Sequence, residues 1–99
     1  MAHYQILYWH DIPLQVRSRE GRERANVSLP PRFQEAIDAA AMAARLTGDE
    51  AYTDGLRWSE PVDHPGTPAE VVAAVAAELD QQYPVIDWRK TAAGLKRNE

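Results

Sequence analysis

The segment Tyr4-Gln5-Ile6-Leu7-Tyr8-Trp9-His10-Asp11-Ile12-Pro13-Leu14-Gln15-Val16 constrains the fold more than any other part of the chain. Its aromatic and branched content favours extended backbone, and apolar groups fall on both alternating faces. A strand covered at least partly on both sides has this pattern, so Tyr4 to Trp9 is expected at the centre of a sheet. Pro13 has no amide proton to give to a ladder, so the first strand must end before it. His10 and Asp11 are then the corner that aims a second strand.

That second strand is expected from Leu14 onward. Leu14, Val16 and Ser18 alternate with Gln15, Arg17 and Arg19, a half-buried pattern with a charged outer face. Glu20-Gly21 marks a tight turn, because glycine accepts the positive φ that short hairpins need. The return strand turns Ala25, Val27 and Leu29 inward and Arg24, Asn26 and Ser28 outward. Pro30-Pro31 stops the sheet and opens a helix. Phe33, Ile37, Ala40 and Ala44 form the apolar face of that helix, and Gly48 is its expected C-terminal cap. Asp49 to Thr53 reads as a single helical turn, with Asp49 and Glu50 as helix-start residues.

Leu56, Trp58 and Val62 suggest a fourth strand at the sheet edge, where Pro61 is tolerated, followed by a loop at His64-Pro65-Gly66. Thr67-Pro68-Ala69-Glu70 matches a capping box with proline at the first helical position. The helix it opens has Val72, Ala76, Leu79 and Tyr83 as its apolar face and ends before Pro84. Val85, Ile86 and Trp88 are expected to dock a short final segment, with a frayed polar tail from about residue 90. The expected fold is one α+β domain: a small, mainly antiparallel sheet of three to four strands, in β-β-β-α-β-α order, with two main helices on one face.

Ninety-nine residues are enough for one core and too few for two. The absence of cysteine excludes disulfides, thiolate metal sites and thiol nucleophiles. Neither a signal peptide nor a membrane-spanning run is visible, so a soluble, cytoplasmic protein is expected. The net charge of −4 is unevenly distributed. Arg17, Arg19, Arg22, Arg24 and Arg32 face only Glu20 and Glu23, whereas from Asp49 to Asp80 the balance is strongly acidic. Such polarity suits association with a partner better than nucleic-acid binding, which calls for a basic domain with exposed aromatics.

Few residues suggest chemistry. His3, His10 and His64 lack metal-ligand spacing, and no glycine-rich phosphate loop occurs. No metal, cofactor or catalytic residue is therefore assigned. His10 beside Asp11 has the composition of a base with its orienting carboxylate, but neighbours in an extended chain point apart. Asp11 is expected instead to hydrogen-bond backbone at the corner. The partner- or anion-binding candidates are Arg17, Arg19, Arg22 and Arg24, together with Trp58 on the edge strand.

The motif from Tyr8 to Val16, with Trp9, Asp11, Pro13 and Gln15 as its structural elements, resembles the small bacterial "virulence factor" domain family. The arginine-rich hairpin, the stretch Leu29 to Asp38 and Trp58-Ser59-Glu60-Pro61 extend the resemblance from about Tyr4 to Tyr83. The resemblance implies no catalytic residues and no cofactor. It does imply an accessory role, since stand-alone members accompany corrinoid- and folate-dependent methyl-transfer genes. Two readings follow. One is a non-catalytic protein that binds another protein, with no DNA, RNA or membrane as partner. The other is a small anionic-ligand binder or enzyme that uses His10, Asp11 and the hairpin arginines together.

Overall fold

The computed structural model describes residues 2–45 and 53–96. Strands β1 (Ala2–Trp9), β2 (Ile12–Glu20) and β3 (Glu23–Ser28) form a meander. Helix α1 (Pro31–Ala43) follows, then two short strands, β4 (Leu56–Trp58) and β5 (Val62–His64). Helices α2 (Pro68–Gln82) and α3 (Trp88–Lys96) complete the described chain. The sheet runs β3-β2-β1-β4, entirely antiparallel, with β5 pairing the other end of β1. The α+β class and the central position of β1 agree with the sequence reading.

The register of β1 on β2 depends on one irregularity. Trp9 pairs with Ile12 and Tyr8 with Pro13, but Leu7 pairs with Gln15, so Leu14 is an extra residue on β2. Without this bulge the two-residue His10-Asp11 turn would set Ile6 opposite Gln15. With it, Ile6 meets Val16, and Val16 meets Val27, in a single apolar row. Helix α2 packs across β1, β2 and β3 on that side, and α1 packs on β2 and α3. Ile6, Val16, Phe33, Ile37, Val71 and Val75 are buried in the shared core. Trp9 is fully buried as well. It lies three positions from Ile6 and so on the opposite face, which leaves β1 covered on both faces at its corner end.

The local signals are realised. Gly21 has φ 58° in the hairpin turn. Thr67 and Glu70 form the reciprocal capping box, with Pro68 at the first helical position. Phe33, Ile37, Ala40 and Ala44 are all buried.

Three expectations need correction. The proposed fourth strand is two strands, because Pro61 separates Trp58 from Val62 and His64 belongs to β5 rather than to a loop. The tail expected to fray from about residue 90 is helix α3 as far as Lys96, started by Asp87, whose carboxylate accepts from the Lys90 amide. Val85 does not dock: it is 84% exposed, while Ile86 and Trp88 pack on the core. Helix α1 ends with Arg45 in the left-handed region at φ 60°, its amide bonding the Met42 carbonyl. The cap expected at Gly48, and Asp49 and Glu50, lie outside the described residues. Among the described residues no helix is long and apolar enough to cross a membrane.

Candidate functional site

The face of the sheet opposite the Ile6–Val16–Val27 row carries polar side chains. Strand alternation and register arrange them in cross-strand rows. Asp63, His3, Arg19 and Arg24 form one row across four strands. Gln5, Arg17 and Asn26 form the next, and Trp58, Leu7, Gln15 and Ser28 a third. Between the first two rows lies an open depression of about 310 Å³, walled by His3, Gln5, Arg17, Arg19, Arg24 and Asn26.

Arg17 is held on this face by two hydrogen bonds and a ring contact. Its Nε–H and an Nη2–H both donate to Gln5 Oε1, at 3.1 and 2.8 Å. Gln5 is held in turn, because its Nε2 donates to the Ser59 carbonyl at 3.0 Å. Ser59 is fixed against Ile6 by two bonds of 2.8 Å, one from its own amide and one to its hydroxyl. The Arg17 guanidinium also stacks on the Trp58 ring, 3.7 Å from its centroid. Strand β4 thus sets the orientation of an arginine on β2 through a neutral amide and an indole. Among the described residues Arg17, Arg19 and Arg24 form no ion pair.

The hairpin arginines therefore divide. Arg17, Arg19 and Arg24 gather at the depression, while Arg22 sits in the turn beside Gly21 and does not line it. Trp58 is half-buried under Arg17 rather than openly exposed. Sequence reasoning missed Gln5 and His3. Alternation with Tyr4 and Ile6 puts both on the polar face, but matching Gln5 to Arg17 requires knowing the bulge at Leu14.

The corner forms a separate place. His10 has φ 56°, a region that histidine enters more readily than most residues. Its amide donates to the Gly55 carbonyl at 2.9 Å, and its ring meets the Trp9 indole edge-on, centroids 4.5 Å apart. Burial lowers the His10 pKa, an effect the Arg57 charge adds to and the Asp11 carboxylate opposes. Among the described residues Asp11 is not bonded to backbone as expected: its Oδ1 accepts from Thr91 Oγ1 at 2.5 Å, tying the corner to α3. His10, Asp11, Arg57, Lys90 and Thr91 border a wide hollow of about 410 Å³. None of the hairpin arginines borders it, so His10, Asp11 and those arginines do not form one site. The reading that combined them is corrected: the register places the arginines toward the opposite end of β2.

Of the motif residues, Trp9 and Pro13 are fully buried, and Gln15 is half-buried beside Leu7. They hold the strands that carry the arginines. No curated protein and no solved structure matches the chain. A family model described as virulence factor matches residues 7–90, which include the corner, the hairpin, β4 and α2. The match spans most of the sequence and contains the motif from Tyr8 to Val16, and the chain belongs to the virulence factor family.

Proposed function

We propose that this chain is a non-catalytic accessory protein of the bacterial cytoplasm that binds another protein through the open face of its sheet. Virulence-related proteins, or proteins of corrinoid- and folate-dependent methyl transfer, are the partners the family resemblance suggests. One observation carries the reading: Arg17, held by Gln5 and stacked on Trp58, has no ion pair among the described residues and stands next to Arg19 and Arg24. Ordering a long side chain costs entropy, and leaving three like charges together adds repulsion. An anionic partner offsets both costs.

The test is quantitative capture from native lysate with the wild-type chain and with an Arg17→Glu/Arg24→Glu variant as baits. A partner retained by the wild type, eluted by moderate salt and lost with the variant is the expected result. Identical capture by both baits, or capture by neither, refutes the reading.

A further inference from the structure

The geometry of Arg17 points to the chemistry of the group it receives, an inference that rests on the partner-binding reading above. A guanidinium has five N–H donors in a rigid plane. Gln5 Oε1 takes one from Nε and one from Nη2, which uses the side edge of the fork. Trp58 covers one of its flat faces. Three N–H groups remain, and two of them, one from each Nη, form the end edge, the arrangement that pairs bidentately with a carboxylate. Gln5 fixes this edge without neutralising it, because its amide is uncharged, and its own bond to the Ser59 carbonyl keeps Oε1 toward Arg17.

The spacing of the other cations indicates the shape of the ligand. Arg17 and Arg19 are two residues apart on β2, about 6.7 Å along the strand. Arg24 is directly across from Arg19 on β3, with roughly 5 Å between the Cβ atoms. An extended peptide has the same repeat as a strand, so its alternate side chains also fall about 6.7 Å apart. We propose that the open face binds an extended acidic segment of the partner, with carboxylates at alternate positions, one on the end edge of Arg17 and the next between Arg19 and Arg24. Asn26, beside Arg17 in the same row, supplies neutral donors and acceptors for the segment's backbone.

The probe is a synthetic peptide of alternating Glu and Thr, titrated into the full chain while the Arg17 Nε–H resonance is followed by NMR. Two control peptides carry Gln in place of Glu, or phosphothreonine among neutral residues. The expected result is saturable, salt-sensitive binding of the Glu peptide that shifts Arg17 Nε–H, with no binding of the Gln peptide. Arg17→Lys keeps the charge and removes the fork, so it should weaken binding about tenfold or more. Arg22→Lys, outside the depression, should change it less than about twofold. Thermal melts confirm that both variants are folded. Equal binding of Glu and Gln peptides, an Arg17→Lys affinity equal to wild type, or no binding of the Glu peptide overturns the proposal. Binding of the phosphothreonine peptide alone also overturns it, yet leaves the arginine face as the partner surface. If the lysate partner ignores Arg17→Glu/Arg24→Glu, the broader reading fails instead.

Discussion

Adding one methyl group at Gly55 tests how tightly the β1 corner is built. A Cβ there would lie 2.5 Å from Trp9 Nε1, 2.7 Å from His10 Nε2 and 2.9 Å from His10 Cδ2. Comfortable carbon contacts are near 3.5–4.0 Å, so the overlap with Trp9 is about 1 Å. Trp9 is fully buried and cannot swing aside. His10 has its backbone amide hydrogen-bonded to the Gly55 carbonyl and its ring edge-on against Trp9. Overpacking of this kind costs typically 1–3 kcal/mol. Gly55 is not in the left-handed region, so alanine also gains about 0.4–1 kcal/mol by restricting the unfolded chain. The net expectation for Gly55→Ala is a loss of about 1–2 kcal/mol.

Gly94 provides the control, because the chemical change is the same and the surroundings are not. It lies within α3, exposed, with no heavy atom within 4 Å of an added Cβ. Alanine in a helix is favoured over glycine by roughly 0.5–1 kcal/mol, and proximity to the helix end favours the lower part of that range. Urea unfolding gives the free energies, and thermal melts should agree at about 4–8 °C per kcal/mol for a domain of this size. Gly55→Ala should melt roughly 5–15 °C lower than wild type, and Gly94→Ala a few degrees higher. A Gly55→Ala protein as stable as wild type, or two variants shifting the same way, would refute the packing described for the corner.

Two further perturbations probe other elements. Thr67→Ala removes the acceptor for the Glu70 amide at the start of α2 and should cost about 1 kcal/mol in urea unfolding, while Thr67→Asp should retain most of it. For His10 the folded pKa lies below the unfolded value of about 6.5, so the folded chain binds the proton less readily. Its stabilising contribution is complete above that value and is lost as pH falls through the folded pKa. His10→Asn, whose side chain tolerates positive φ, should therefore lose less melting temperature than wild type between about pH 7.5 and about pH 5. Parallel losses in the two proteins would remove His10 from the account.

What could be read from the sequence was what local chemistry decides. The Thr67–Glu70 capping box, the Gly21 turn and the period-two hairpin each depend on residues within a few positions of one another. Helix α3 was readable in principle: Trp88, Thr91, Ala92 and Leu95 recur at helical spacing, and Asp87 stands where a cap belongs. The polar composition of the tail hid that stripe. β5, at three residues, is too short to show a period. The site was half legible for a stricter reason. Alternation alone assigns Arg17, Arg19 and Arg24 to one face, and the hairpin turn pairs Arg19 with Arg24. Pairing Gln5 with Arg17 depends on Leu14 bulging out, a decision made by the burial of Ile6 against Val16 elsewhere in the sheet. Likewise the bond between Asp11 and Thr91 joins residues 80 apart, and only the packing of α3 brings them together.

The contrast between two arginines shows why the open face reads as a surface for something else. Arg32 on α1 is fully answered within the chain. Its Nε donates to the Tyr83 carbonyl at 3.0 Å, and its Nη2 reaches the Asp80 carbonyl at 2.7 Å and the Asp80 carboxylate. That arginine closes the C-terminal end of α2 and cancels its charge there, a structural role. Arg17 is held as firmly but, among the described residues, has no ion pair. A glutamate at position 5 would have given it an ion pair, at the cost of the bond that Gln5 donates to the Ser59 carbonyl. With glutamine the guanidinium is placed but its charge still faces outward, next to two more cations on a sheet face where α2 does not pack. If Gln5→Glu, which supplies the missing charge within the chain, left capture of the partner intact, then the positive charge of Arg17 would not be what the partner recognises.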